Sequence, residues 1–220
     1  MEENIAILMA DLSGYTALTE THGSVSAADL IDKYVSIAEN CLVGDCTLHE
    51  RVGDEIIIIS SSPDHLMATA LMIGSYTSNE ENFLQVHGGL HYGKVLMRGN
   101  SYFGSTINLA SRIAAKAKAG TFLCSDEYVN ALTDRSAFSL TSKGHYSFKN
   151  VDKEKEVFEV DIEIKNGFYI DPVCRMLILD HHRAICHPNE NEIYFCSSQC
   201  MELYQEKHSS VQTMLNKERT

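Results

Sequence analysis

Helical and strand-like apolar periods alternate along the first hundred residues of this chain, in an order that few folds accommodate. Residues 5–10 are a short, continuous apolar run that reads as a buried strand. Residues 24–41 instead space Val25, Ala28, Ile31, Val35 and Ala38 at helical intervals. Two strand-like runs, 47–52 and 55–60, are hinged on Gly53 and Asp54 and read as a hairpin. Pro63 and Asp64 open a second helix to about residue 78, with the proline in the first turn and an acid that suits the helix dipole. Strands at 85–92 and 95–98 follow around Gly93. The order is β-α-β-β-α-β, the split βαβ arrangement of ferredoxin-like folds, so the expected class is α+β. Further on, 107–119 reads as a helix, 121–124 as a strand, 126–132 as a helix, and 138–142 with 157–160 as strands.

The remaining quarter has a different chemistry. Residues 166–220 carry Cys174, Cys186, Cys196 and Cys200 of seven cysteines, and His181, His182, His187 and His208 of ten histidines. That asymmetry marks a second module, with the join at Lys165-Asn166-Gly167, since Asn-Gly is a turn signal. The expected domains are therefore 1–165 and 166–220.

Composition narrows the function. Eighteen basic against thirty acidic residues give a net charge of -12, which argues against holding nucleic acid through its phosphates. The longest apolar runs, 5–10 and 56–59, are far short of the ~20 residues a membrane span needs, and the start lacks the basic region of a signal peptide. The expected location is cytoplasmic, where cysteines serve as ligands or thiols rather than disulfides. Cys41, Cys46 and Cys124 lie in or beside apolar segments and read as packed thiols.

Two carboxylates carry the first chemistry. In a split βαβ sheet the first strand lies antiparallel to the third, so Asp11, closing the first, comes near Asp54, opening the third. Taken singly, each is an ordinary loop aspartate. Together at one sheet edge they suit a hard divalent cation and the triphosphate it would bring. The glycine turn after Asp11, at Gly14, offers backbone N–H groups to phosphate.

Four segments in order, Leu8-Met-Ala-Asp-Leu-Ser-Gly-Tyr15, Glu50-Arg-Val-Gly-Asp-Glu55, His87-Gly-Gly-Leu-His-Tyr-Gly-Lys-Val95 and Tyr102-Phe-Gly-Ser-Thr-Ile-Asn-Leu-Ala-Ser-Arg112, carry a resemblance. Residues 4–162 resemble the catalytic domain of class III nucleotidyl cyclases, the adenylate and guanylate cyclases. The resemblance implies that Asp11 and Asp54 hold two Mg²⁺ or Mn²⁺ ions per active site. It implies that Asn108 positions the ribose and Arg112 stabilises the transition state; their spacing puts an amide and a guanidinium on one helical face. Lys94 and Lys149 fall where family members have triphosphate contacts. The implied reaction closes a nucleoside triphosphate to its 3′,5′-cyclic monophosphate and expels pyrophosphate. Family members act as head-to-tail dimers, so a homodimer with two composite sites is expected.

Base choice falls on two positions. Glu50 stands where resembling adenylate cyclases have lysine and guanylate cyclases glutamate. Guanine presents N1–H and a 2-amino group, two donors that one carboxylate accepts, so Glu50 leans to GTP. Ser101, the second selector, can donate or accept and decides nothing. Arg51 next door, or a slip of one residue, would put a cation there instead.

Phe168-Tyr-Ile-Asp-Pro-Val-Cys-Arg-Met176 followed by Tyr194-Phe-Cys-Ser-Ser-Gln-Cys200 resembles a YHS domain, a small treble-clef-like fold related to TRASH metal-sensing domains, over residues 168–212. Cys196 and Cys200 have thiolate-site spacing on a strand-to-helix knuckle, with Cys174 as third ligand and Zn²⁺ or Cu⁺ as the expected ion. The fourth ligand is left among Cys186, His187, His181 and His182, and reduced, packed thiols are the alternative. Arg175 departs from the family's usual glycine. The other functional alternative is a catalytically silent, nucleotide-binding homologue that acts through the YHS-like part in metal sensing or interaction.

Overall fold

A computed structural model describes residues 2–162 and 168–217, with side chains through residue 208. The chain forms two compact units, Met1–Lys165 and Asn166–Thr220. The expected join at Lys165, Asn166 and Gly167 lies outside the described residues.

In the first unit, β1 (Glu2–Leu12), β2 (Thr47–Val52), β3 (Glu55–Ser60), β4 (Val86–Arg98), β5 (Ser101–Phe103), β6 (Phe122–Ser125), β7 (Leu140–Tyr146) and β8 (Lys155–Val160) make one sheet. Its order is β2-β3-β1-β4-β6-β8-β7, with β5 paired to β4. The β1–β3 pairing is antiparallel, as the split βαβ order requires, and β4–β6 is the parallel crossover. Helices α1 (Tyr15–Asn40) and α2 (Pro63–Asn79) belong to one face, α3 (Ser105–Ala114) to the other, and α4 (Asp126–Ala131) follows β6.

Strand alternation explains the two layers. Ile5, Ile7 and Met9 of β1 point to α3 and pack with Val95, Ala110 and Ala114. On β3 the opposite set, Ile56, Ile58 and Ser60, is buried, while Ile57 and Ile59 remain half-buried. So α3 covers only part of its face and leaves an apolar strip beside β1 and β3.

Several boundaries differ from the sequence expectation for identifiable reasons. Helix α1 begins at Tyr15 rather than near residue 24, and Gly23, at φ 83°, breaks it where the apolar period starts. The two strands expected around Gly93 are one continuous β4. Gly93 is there for packing, because a Cβ would stand 2.8 Å from Thr106 Oγ1. Helix α3 ends at Ala114, five residues before the expected end.

In the second unit, β9 (Tyr169–Ile170) pairs with β10 (Leu177–Ile178), β11 (Ile185–Cys186) with β12 (Tyr194–Phe195), and α5 (Ser198–Lys217) follows. Phe168, Ile178, Phe195 and Cys200 are its buried apolar residues among those described. Arg175 has φ 61°, which explains why glycine is the natural residue at that turn.

Two tests probe this scaffold. A Cβ on Gly89 would lie 2.2 Å from the Ala114 amide nitrogen and 2.7 Å from the Ala110 carbonyl, so backbone must move. Gly89→Ala is expected to destabilise by roughly 3 kcal/mol, read by urea unfolding. Buried His91, whose Nδ1 is 2.7 Å from Ser125 Oγ, is held neutral by burial, with Lys155 opposing its charge and Glu127 only partly compensating; its pKa falls to about 4. The unfolded chain takes up that proton first, near pH 6.5, so the stability is present above pH 6.5 and lost as pH falls towards 4. Unfolding at pH 7 and 4.5 should differ by roughly 2 kcal/mol less in His91→Asn than in the parent.

Candidate active site and metal centre

The carboxylate edge forms as expected. Ala10 pairs with Ile56, which sets Asp11 beside the β2–β3 turn that carries Asp54. Burial, then a hydrogen bond and the charge of Asp11, raise Asp54 to about 6. Burial and both aspartates also raise Glu55, a third carboxylate missed from the sequence. The Tyr34 hydroxyl, buried and without a hydrogen-bond partner among the described residues, senses all three charges. Crowded oxygens that resist ionising together, beside an orphaned hydroxyl, are a donor set that a divalent cation satisfies. The phosphate cradle is smaller than expected, since the Ser13 amide donates to Gln85 O at 2.9 Å. Gly14, at φ 90°, starts α1 immediately after it.

The uncovered strip on the α3 face is a cleft lined by Ile5, Ile7, Ile57, Ile59 and Ile107, with Glu50, Ser101, His49 and Tyr102 at its polar parts. Isoleucine side chains beside a carboxylate and a hydroxyl combine the apolar floor and polar edge that a heteroaromatic ring can use. Glu50 is in this lining and Arg51 is not; the Arg51 guanidinium donates to Gly53 O at 3.0 Å.

Asn108 and Arg112 line a second, larger cavity together with Ser105, His91, Glu127 and Lys155. Their i, i+4 spacing on α3 does bring the amide and guanidinium to one side. Lys155 was not foreseen. It pairs with Glu127, whose burial would raise its carboxyl, but hydrogen bonds from Asp126 and Lys155 hold it at about 2. Neither expected lysine is in these linings: Lys94 makes a 2.9 Å ion pair with Glu2, both exposed, and Lys149 is exposed on the β7–β8 connection. The Glu2 pair is a weak restraint in water. Neither cavity includes Asp11 or Asp54.

In the second unit, ligand atoms of Asp171, Cys174, Cys196 and Cys200 all lie within 4.8 Å of one another. The Cys196 sulfur is 3.5 Å from Cys174 and 3.8 Å from Cys200. The group that joins the three cysteines in this cluster is the Asp171 carboxylate, whereas Cys186, His187, His181 and His182, the expected candidates for a fourth ligand, lie outside it. Cys186 Sγ approaches His187 O at 3.6 Å, and buried His187 uses Nδ1 to accept the Glu190 amide at 3.0 Å. His181 lies against the Tyr169 ring, and His182 is exposed outside the cluster. Asp171 Oδ1 accepts the Val173 and Cys174 amides and Oδ2 the Cys196 amide, at 2.8 to 3.1 Å. Burial favours its neutral form, but these amides win and lower its pKa. Burial, Asp171 and the other two thiols push Cys196 up to about 12, the crowding that a thiophilic cation relieves.

Residues 1–161 match the family described as the adenylate and guanylate cyclase catalytic domain. An uncharacterized protein of Mycobacterium tuberculosis is 34% identical over 139 residues, covering 61% of this chain and 37% of that protein. An adenylate cyclase of Glutamicibacter nicotianae is 30% identical over 139 residues, 63% of this chain and 34% of the relative. The chain thus spans about a third of the length of these curated relatives. A structure of adenylate cyclases from Trypanosoma brucei in their monomeric state aligns with TM-score 0.68 and 18% identity, over 74% of this chain and 90% of that one. At that identity the likeness is one of fold. With sheet order, split βαβ pairing and family match agreeing over residues 1–161, the chain belongs to the adenylate and guanylate cyclase catalytic domain family.

Proposed function

We propose that the first unit is a class III nucleotidyl cyclase that converts a purine nucleoside triphosphate, GTP ahead of ATP, to its 3′,5′-cyclic monophosphate and pyrophosphate. The observation that carries this is the division of the site within one chain. A carboxylate edge occupies one region, while a ring-shaped slot and an Asn/Arg cavity that exclude it occupy others. Each set is half of an active site, and a head-to-tail homodimer joins Asp11 and Asp54 of one subunit to Glu50, Ser101, Asn108 and Arg112 of a second copy.

Bound at Asp11 and Asp54, two Mg²⁺ or Mn²⁺ ions would supply Lewis-acid activation of the 3′-hydroxyl and charge neutralisation at the α-phosphoryl group. The chain's own side chains do the rest. Glu50 accepts the N1–H and 2-amino donors of guanine, and the isoleucine floor excludes water from the ring. Asn108 holds the ribose so that the 3′-oxygen faces the α-phosphorus. Arg112 meets the phosphate oxygens with its planar fork as charge moves onto the leaving pyrophosphate. Lys94 and Lys149 reach the triphosphate in this reading only if they swing from their present positions. All seven cysteines are free thiols, in keeping with a reducing, cytoplasmic setting.

The second unit is, in the same proposal, a YHS-like metal module of treble-clef type that regulates or stabilises the first. Metal–sulfur bonds of about 2.3 Å at a tetrahedral centre place sulfurs about 3.8 Å apart, the separation seen between Cys196 and Cys200. Cys174, Cys196 and Cys200 would hold Zn²⁺, or Cu⁺ as a trigonal ion, with the Asp171 carboxylate on the remaining side.

Purified dimer with Mn²⁺ or Mg²⁺ should cyclise GTP, and more slowly ATP. Asp54→Ala and Arg112→Ala should each lose about 10²-fold or more. Mixed in equal amounts and allowed to exchange subunits, the two dead variants should regain about a quarter of parental activity, because half the dimers then carry one intact site. No cyclic product from any common triphosphate in a verified dimer overturns the enzyme reading, and no recovery on mixing overturns the composite site. For the second unit, elemental analysis should find about one thiophilic metal per protomer, absent in Cys196→Ser/Cys200→Ser, whose melting temperature should no longer respond to chelator.

A further inference from the structure

We infer that His49 is a base-reading residue, supplying the hydrogen-bond donor that Glu50 lacks in the purine slot. The inference rests on the cyclase reading of that slot as the base pocket, and goes beyond it by naming a third reader and what it reads.

The argument begins with register. Leu48 pairs with Ile58, but Glu50 pairs with Ile57, so β2 carries one residue more than β3 at this point and His49 is the surplus. In an unbroken strand His49 and Glu50 would face opposite sides of the sheet. A bulge re-aims one of them, and both in fact line the same cleft. The imidazole is half-buried and is held edge-on by the Tyr102 ring, with centroids 5.0 Å apart and planes at 66°. Tyr102 follows Ser101, so the two polar sides of the cleft are joined through this aromatic contact.

Complementarity supplies the role. Guanine offers two donors, N1–H and the 2-amino group, and one acceptor, O6. An ionised Glu50 can only accept, which leaves O6 needing a donor. Adenine offers its 6-amino donor to Glu50 and its N1 acceptor needs a donor in the same way. A neutral imidazole carries one N–H donor. Arg51, the other candidate beside Glu50, is engaged with Gly53 O outside the lining. His49 therefore completes either purine edge. Glu50 alone reads as a guanine selector, whereas Glu50 with His49 makes a slot whose choice between GTP and ATP is narrow.

The test compares substrates that differ by one acceptor. With the full-length dimer, kcat/KM is measured for GTP against 6-thio-GTP, whose sulfur is a poor acceptor, and for ATP against 1-deaza-ATP, which lacks N1. The parent should prefer GTP and ATP by about tenfold over these analogues. His49→Leu, which removes the donor and keeps the bulk, should bring both ratios close to one, and His49→Gln should restore much of them. A merely structural role lowers all four substrates together and leaves the ratios unchanged, which overturns the inference. Melting temperatures of the variants establish folding, and His49→Phe, which also lacks a donor but keeps an aromatic ring against Tyr102, replaces His49→Leu if that variant does not fold. Should the parent cyclise nothing, the enzyme reading fails separately, and the same GTP to 6-thio-GTP ratio read by calorimetric binding still decides the role of His49.

Discussion

The fold hangs on the pairing of β1 with β4, which runs unbroken from Glu2 opposite Leu96 to Leu12 opposite Val86. Because side chains alternate, a slip of one residue would turn Ile5, Ile7 and Met9 away from α3 and place Ala6, Leu8 and Ala10 there instead. On its other edge β1 pairs with β3, which carries Asp11 to the β2–β3 turn that delivers Asp54, and Ile57, opposite both Met9 and Glu50, sets those two level. Core and site consequently depend on one strand, β1, and its register. The glycines opposite β1 serve it: Gly88 and Gly89 leave room for the Phe122 ring on one face and for the backbone of α3 on the other.

What the sequence made legible follows from which physical signals are local. The apolar periods gave the β-α-β-β-α-β order, and the hairpin at Gly53 and Asp54 came through as expected because turn chemistry is written in adjacent residues. Residues 15–23 are largely polar and carry no apolar period, so the first turns of α1 were invisible until Gly14 and Gly23 were seen to begin and break the helix. Gly93 misled for a related reason. Its value is a close approach to Thr106, a residue thirteen positions away, and only the pairing of β4 with its neighbours reveals that. His49 was missed because strand alternation sends it to the wrong face, and a bulge is a property of two strands together. Lys155 was missed because its partner, Glu127, is on another element.

The second unit shows the same limit in a smaller space. Cys196 and Cys200 are legible from their spacing and Cys174 from the resemblance of its segment, but Asp171 reads as an ordinary turn residue before Pro172, although its carboxylate gathers the amides of Val173, Cys174 and Cys196. Those bonds tie two segments twenty-five residues apart, so the carboxylate fixes the knuckle whether or not it also ligates. With few buried apolar residues and two-residue strands, this unit has little area to set against chain entropy. A metal held by groups that already crowd one another would supply stability where the hydrophobic core cannot.

Charge sets the last requirement on the first unit. Of the net -12, residues 166–220 hold seven acids and five bases, which leaves -10 on the cyclase unit. A triphosphate approaching such a surface meets a repulsive field beyond a Debye length only weakly, because salt screens it, but within the site the local arrangement decides. There the cavity holds Arg112 together with the Lys155–Glu127 ion pair, and burial keeps His91 uncharged. Those groups sum to a single positive charge, against several negative charges on the polyphosphate. The carboxylate edge, far from relieving the deficit, adds to it, and burial first, with the neighbouring carboxylates second, raises Asp54 and Glu55. For the proposed cyclisation, protein cations alone would not balance the transition state, and divalent ions held at Asp11 and Asp54 would supply the missing positive charge. In the proposed homodimer, a site split between subunits would bring such ions in with the carboxylates of one copy, while the slot proposed to read the base would belong to the opposite copy.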